Sequence, residues 1–571
     1  MDTLCPNLDT MNKEVLLIYT QRYIPGRKFE KIGNLGILTL ATRLADYGFK
    51  AYTFTGITTD AVNLIKERWA HLFSVCFYCD FDNQTAVAGI TASLKNAPFY
   101  VVIGGPQTMH LGGSFLEISK ADAILCGEGE EILGEWLLSK YSKKKTGPLA
   151  EEIKKDEKGV YVIINDFSKY PYPDDKKECF RQQATMFSVI TARGCPHRCT
   201  FCFEGGHAKK LRLRPVKAVL DEIWLRLETN PDYRYLFFTD DTFTFDKKRL
   251  YKLIEGMKEL RKIRDFVWFC EGHASFFKCH PEVIKDMVDA GMVRMQIGME
   301  SSNDHILKAY KKGIQAQDIQ ETARMCFEAD LPQLAGNFII GGAFETPQTL
   351  KNTTSFVLDL MNETKGMIDV STTFPMPLIG TKLTEQPECF DIIWEEKSYL
   401  TSIEDFPVNR TKEMTRIDIC QGRSLFLSKV SEKMKKMYNN GDISDQRIRR
   451  SFELAFHYGL VDAWFRYIYV KERKLVAYYT GIMQDHLLEW ENIKNEKEEV
   501  VYPVKVLSDE ELLNEELTEL ECNVYRHIDK NSLSDIKKQL EVSIEQEKTV
   551  IEKLSKKHLL LFLVIDALKS V

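Results

Sequence analysis

Thr191-Ala-Arg-Gly-Cys195-Pro-His-Arg-Cys199-Thr-Phe-Cys202-Phe-Glu-Gly-Gly206 places three cysteines in one short loop. Ahead of it, Met186-Phe-Ser-Val-Ile190 reads as a buried strand, and behind it Pro215 to Glu228 reads as an amphipathic helix. The cysteines therefore sit in a strand-to-helix loop. Three thiolates spaced C-x3-C-x2-C can each take a separate corner of an iron–sulfur cube, and Gly194, Pro196, Gly205 and Gly206 let the chain wrap closely around it. One iron would then lack a protein ligand. The same residues also suit a zinc site with His197 or His207 as fourth ligand, or three unrelated buried cysteines.

An open corner suits chemistry on a small molecule better than plain electron carriage. The stretch resembles the cluster motif of the radical S-adenosylmethionine (SAM) enzymes, down to the aromatic Phe201 before the last cysteine. The resemblance implies that Cys195, Cys199 and Cys202 hold a 4Fe–4S cluster whose fourth iron is completed by the amino and carboxylate groups of SAM.

Working outward, the spacing of apolar segments predicts strand–helix alternation on both sides of the loop. Upstream, strands are expected at Val15–Tyr19, Lys50–Phe54, Leu72–Tyr78 and Phe99–Ile103, with helices at Leu35–Tyr47, about 59–69 and about 84–94. That pattern argues a doubly wound parallel sheet, whose ligands bind outside the carboxyl ends of its strands. Downstream, strands are expected at Tyr235–Phe238, Phe266–Cys270, Val293–Ile297, Leu334–Ile340 and Asp369–Phe374. With 186–190 they number six, each followed by polar residues at its carboxyl end, where β/α barrels place active sites. The fold class is thus α/β: a doubly wound sheet over 1–140, a join over 141–185 and a partial (β/α)6 barrel over 186–385. A helical domain is expected over 386–571, where Ser424–Asn440, Ile448–Asn492 and Ser532–Lys556 are long lysine- and glutamate-rich patterns.

Val101-Val-Ile-Gly-Gly-Pro106 and Ala121-Asp-Ala-Ile-Leu-Cys-Gly-Glu-Gly-Glu-Glu131 look like the strand-plus-GG and GEGE segments of the cobalamin-binding domain that precedes the radical SAM core in one large subfamily. Carried across, Gly104, Gly105 and Glu128 fall at the cobalamin site. Asp240 and Asp241 fall where the second strand approaches SAM's amino group, Glu300 and Ser301 where the fourth meets the ribose, and Gly341 to Glu345 where the fifth meets adenine. Any one of these acids could instead cap a helix or be a surface charge.

The resemblance has one departure. Where that subfamily's D-x-H-x-x-G motif would supply a histidine to cobalt, this chain has Tyr19-Thr-Gln-Arg-Tyr-Ile-Pro-Gly26, and its first histidine is His71. Cobalamin is therefore expected without a histidine axial ligand, and a chain that has lost cobalamin stays open. His110 is the nearest candidate in the loops, and a lone loop histidine is more often a surface residue.

Composition bounds the rest. The 571 residues exceed one core. Lysine and arginine number 77 against 83 acids, giving net charge −6 and no general nucleic-acid surface. The apolar run Leu559–Ile565 is too short to cross a bilayer. The start has no basic stretch leading into an apolar one, so a cytoplasmic protein is expected. Fourteen cysteines in that compartment are not a disulfide framework, and Cys76 and Cys79 read as packing.

The resemblance implies an oxygen-sensitive enzyme that cleaves SAM to a 5′-deoxyadenosyl radical, with cobalamin delivering a methyl group to an unactivated carbon. It also implies a small-molecule or peptide substrate and an electron donor such as flavodoxin or ferredoxin. The alternatives are a non-methylating rearrangement, cyclisation or cross-link, and, from another class, a non-catalytic zinc- or cobalamin-binding module.

Overall fold

The computed structural model describes residues 14–21, 34–80, 83–142, 154–156, 159–162, 170–177, 186–203, 211–378, 380–395 and 406–444, then 493–494, 499–508, 511–528 and a few scattered positions. The chain separates into two compact units, one dominated by residues up to Val430 and one by residues from Ser431.

The first sheet runs β1 (Glu14–Gln21), β2 (Lys50–Ile57), β3 (Leu72–Tyr78), β4 (Tyr100–Gly104) and β5 (Ala123–Gly127), in spatial order β2-β1-β3-β4-β5. All pairs are parallel. β3 is buried along nearly its whole length because helices cover both faces, which is why it reads as a continuous apolar run. The order reverses between β1 and β3, and that reversal opens a crevice at the carboxyl ends.

The join contributes to this sheet. β6 (Lys154–Asp156) and β7 (Gly159–Val162) extend it, β7 parallel to β5 and β6 antiparallel to β7. A boundary at 140 is therefore too early. The outer strand is Lys-Lys-Asp, a short charged edge that carries no hydrophobic alternation to read. Tyr170 to Asp175 then straps the sheet to the barrel. The Tyr170 hydroxyl meets Thr39 Oγ1 at 2.8 Å, its ring lies under Arg193 and Arg214, and Asp175 takes two hydrogen bonds from Arg226 at 2.8 and 3.1 Å.

The second sheet holds β8 (Met186–Val189), β11 (Tyr235–Phe238), β12 (Val267–Gly272), β13 (Met292–Glu300), β14 (Gln333–Ile339) and β15 (Ile368–Thr373), six parallel strands in chain order. These are the six strands expected. Outward residues such as Leu236, Phe238, Cys270, Met295 and Phe338 are fully buried under helices. The alternate positions face a lumen and are polar, and the register aligns them in rows: Phe269 beside Arg294 and Gln333, Glu271 beside Gln296, Gly298 beside Asn337 and Ser371. Between β8 and β11 a small antiparallel pair, β9 (Ala192–Arg193) and β10 (Arg212–Leu213), closes the base of the cysteine loop.

Beyond the barrel, β16 (Ile392–Trp394) pairs with β17 (Asn409–Thr411), and a helix spans Arg416–Asn439. The expected helix at Ser424–Asn440 overlaps it to within one residue at the carboxyl end, and the other two expected helices fall largely outside the described residues. The helical reading of the last third is incomplete, because β18 (Ile493–Lys494), β19 (Val500–Ser508) and β20 (Glu511–Leu517) form an antiparallel sheet. Glu511-Leu-Leu-Asn-Glu-Glu-Leu517 has the composition of a helix, and pairing with the β-branched β19 overrides it.

Candidate functional site

The cysteine loop is anchored on both flanks. Thr200 donates from its backbone N–H to the Tyr310 carbonyl at 3.0 Å and from its hydroxyl to the Ala309 carbonyl at 3.1 Å, while Leu383 N–H donates to the Thr200 carbonyl. Phe201 packs edge-on against Tyr310 at 4.9 Å. An aromatic before the last cysteine thus pins the loop to the segment following β13. The three thiols are half-buried. Burial pushes Cys195 up to about 12 and Cys199 up to about 11, each further raised by its cysteine neighbours, so the thiols bear on one another. Ligation by iron would displace those protons.

Among the described residues no three His, Cys, Asp or Glu side chains converge tightly enough to hold one metal ion. A single zinc ion draws its ligands together, whereas a cube's irons are ligated separately, and His207, one of the two histidines that could complete a zinc site, falls outside the described residues. The cation on the site is Lys312, which is buried beside Glu300 at 3.1 Å and lies within electrostatic reach of Cys199 and Cys202. Burial opposes its charge, and Glu300 and the thiols outweigh that, raising its pKa. Lys312 carries no sequence signal beyond Lys311-Lys312, which reads as a solvated pair. His197, inside the loop, stacks on His273 at 3.7 Å, and His273 caps the helix Ala274–Cys279. Burial drives His273 down to about 2, so its ring is neutral.

The residues expected to face SAM separate into two groups. Asp240 is buried, with both oxygens taken up by the Thr191 N–H and hydroxyl, each at 2.5 Å, and by the Ala192 N–H at 3.0 Å. It fixes the start of the cysteine loop. Asp241 is exposed and accepts from the Gly194 N–H. Glu300 sits at positive φ, paired to Lys312, and Ser301 takes part in the hydrogen-bond cluster of Asn303 and Thr353. Glu345 is buried and accepts from the Gly341 N–H, while Asn409 donates to the Gly341 carbonyl at 2.7 Å. Gly341 has φ +78°, and a Cβ there would stand 2.6 Å from Ile419, so glycine is required by the turn itself.

A cavity of about 370 Å³ lies at the carboxyl ends of the first sheet. Leu17, Ile37, Val102 and Leu125 give it an apolar floor, and Gly104 and Gly105 form one wall. A Cβ on Gly104 would find only the Leu125 carbonyl, at 3.9 Å, so this wall is an open cradle. Gly105 differs: with φ +98° its Cβ would meet the Cys79 backbone at 2.6 Å, so packing of the sheet demands it. Glu128 forms the rim together with Arg193, Arg212 and Asp241. Its carboxylate holds Arg212 by two bonds and lies 3.3 Å from Arg193. An apolar floor with glycine walls and a charged rim fits a corrinoid's flat apolar base and polar periphery. The loop that could carry an axial ligand lies beyond Gln21, and like the side chain of His110 it falls outside what is described. Cys76 and Cys79 are buried thiols, with Cys76 pushed up to about 12 by burial.

Residues 189–357 match the model of the Radical SAM superfamily. Those residues form a radical SAM domain. The chain is 29% identical over 305 residues, 51% of this chain and 63% of the relative, to a protein of Pyrococcus horikoshii described as an uncharacterized methyltransferase. It is 28% identical over 180 residues, 31% of this chain and 38% of the relative, to the bacteriochlorophyllide d C-12(1)-methyltransferase of Chlorobaculum tepidum. The chain spans less than two thirds of the length of these relatives. Among solved structures it resembles the radical SAM methyltransferase TsrM of Kitasatospora setae, solved with cobalamin and a [4Fe–4S] cluster (TM-score 0.53, 16% identity, 65% of this chain and 77% of that one). It also resembles the cobalamin-dependent SAM radical enzyme OxsB (TM-score 0.56, 14% identity, 84% and 79%). At these identities the likeness is one of fold: a doubly wound sheet ahead of a radical SAM barrel.

Proposed function

We propose that this radical SAM protein is a cobalamin-dependent methyltransferase acting on an unactivated carbon. One observation carries the reading: the cavity under the first sheet is walled on one side by Gly104 and Gly105 and on the other by Arg193, Gly194 and Asp241, the residues that adjoin Cys195. A cofactor in that cavity would therefore border the cluster loop, and bringing a methyl donor and a radical source to one substrate replaces a diffusive encounter by proximity.

Cys195, Cys199 and Cys202 would hold the cluster, with Gly104 and the Glu128 rim at the corrinoid. When bound, these groups supply the electron that cleaves SAM to methionine and a 5′-deoxyadenosyl radical, and the methyl group that replaces the abstracted hydrogen. The chain's own part is to orient and enclose. Asp240 fixes the loop through Thr191, Lys312 sets a positive charge beside the thiols, and Asp241 presents a carboxylate to the space between the two sites. We further propose a cytoplasmic setting with a flavodoxin- or ferredoxin-like electron donor; no helix among the described residues is long and apolar enough to cross a membrane.

The test is product analysis under anaerobic turnover with methyl-deuterated SAM. The reading predicts equal amounts of 5′-deoxyadenosine and S-adenosylhomocysteine and a product bearing the labelled methyl group. Substrate-dependent 5′-deoxyadenosine without S-adenosylhomocysteine or mass gain would replace it with a non-methylating radical reaction.

A further inference from the structure

The barrel lumen holds an acid that neither the cluster nor the expected SAM contacts use. Glu271 is the last residue but one of β12, on the same side as Phe269 and partly buried. Gln296 on β13 donates to its Oε1 at 3.1 Å, and among the described residues no protein donor meets Oε2. That oxygen is open to the lumen. Below it, Arg294 lies two residues back along β13, a rise of about 7 Å. Arg294 is already engaged, by Asp369 at 3.3 Å and over the face of Phe269. Above it stands Asp241, at the cavity rim. Burial first, and the charge of Asp241 second, push Glu271 up to about 7 against the weaker pull of Arg294.

Charge balance indicates what is missing. Asp241 lies within electrostatic reach of Arg193, and Asp369 is paired with Arg294, so of the three carboxylates along this wall Glu271 is the one with no ion pair of its own among the described residues. SAM, with a sulfonium, an ammonium and a carboxylate, carries a net single positive charge. In the radical SAM reading its ammonium and carboxylate would go to the fourth iron, so neither is left for Glu271. Phe237, partly exposed and stacked on the buried Phe269 at 4.8 Å, supplies an apolar surface on the same face of the sheet.

Resting on the radical SAM reading above, we propose that Glu271 is a specificity-determining residue that receives a protonated amine of the substrate. The substrate is then an amine-bearing small molecule or peptide, with an apolar portion against Phe237. A large anionic macrocycle would meet an acidic wall.

The experiment uses the reconstituted, reduced full chain with SAM and reads 5′-deoxyadenosine. Probes are a pool of free amino acids and tripeptides, the same pool N-acetylated, and magnesium-protoporphyrin IX monomethyl ester. The free-amine pool should raise the rate at least tenfold, and acetylation should remove the increase. Glu271→Gln should raise the KM for the amine probe at least tenfold with the KM for SAM within twofold of wild type. Glu271→Asp, which keeps the charge, should restore most of the amine dependence and shows that the site still folds. Equal stimulation by the acetylated pool or the macrocycle, stimulation by neither, or a Glu271→Gln effect on SAM instead of the amine would overturn the proposal. Those outcomes leave SAM cleavage intact, whereas a chain that takes up no iron and cleaves no SAM overturns the parent reading.

Discussion

Glu128 Oε1 and Oε2 receive Arg212 at 2.6 and 2.9 Å, so a turn of the first sheet grips the strand that closes the cysteine loop. Arg212 stands directly opposite Arg193 in the β9–β10 pair, and Arg193 in turn is held by Glu128 and Glu130. Two guanidiniums and two carboxylates thus join the cavity rim to the residue two before Cys195.

Breaking this lattice from one side leaves an uncompensated buried charge. Each partner of the Glu128–Arg212 pair is 13% exposed, so Glu128→Ala is expected to lower unfolding stability by about 3 kcal/mol, measured by urea denaturation. Arg212→Lys should cost less than Arg212→Ala, because it keeps the charge and loses only the bidentate geometry. A loss below about 0.5 kcal/mol for Glu128→Ala would show the pair to behave like a solvated surface bridge.

The two adjacent glycines should separate under mutation. Gly105→Ala places a Cβ against the Cys79 backbone at positive φ and should destabilise the chain by about 1–3 kcal/mol. Gly104→Ala meets only the Leu125 carbonyl at 3.9 Å, so thermal stability should hold while hydroxocobalamin retention falls, read from absorbance after gel filtration. Equal loss of stability in both would mean that Gly104 serves packing and not a ligand.

How much of this was legible in the sequence follows from what each signal rests on. The six barrel strands were, because each carries apolar residues at its outward positions and ends in a polar turn. So was the place of the cysteine loop between β8 and the helix Val216–Thr229, because the three cysteines are local in sequence. The destinations of Asp240, Ser301 and Glu345 were not: residue type and strand-end position are the same for an acid that meets a ligand and one that binds Thr191 or the Gly341 N–H. Lys312 and Glu271 acquire their meaning only from neighbours on other strands, Glu300 and Gln296. The β6–β7 edge and the β19–β20 hairpin were missed because β6 and β20 are rich in charge and the short apolar runs of β7 and β19 show their pairing only in the tertiary structure.

Glu345 makes a pH prediction with a definite sign. Burial raises it from 4.5 to about 7, against the pull of the Gly341 and Gly342 N–H groups. The folded state therefore holds the proton more tightly than the unfolded state does. Its contribution to stability is fully present below about 4.5 and is lost as pH rises through about 7. Glu345→Gln lacks this titration, so the stability of the variant relative to wild type should improve from pH 5 to pH 8, by on the order of 3 kcal/mol across the full range. Denaturant unfolding of both proteins at intervals between those values checks it. A constant difference would mean that Glu345 is ionised throughout.

The central claim, that one chain brings a SAM-cleaving cluster and a corrinoid to a shared cavity, is tested most directly by iron, sulfide and corrinoid analysis of anaerobically reconstituted protein. Electron paramagnetic resonance of the Co(II) form is recorded on the same sample. The account predicts one 4Fe–4S cluster and one corrinoid per chain, loss of the cluster when Cys195, Cys199 and Cys202 are replaced by alanine, and a cobalt signal without the triplet splitting of an axial nitrogen. Stoichiometric zinc with no iron, or a full cluster with no corrinoid uptake, would contradict it.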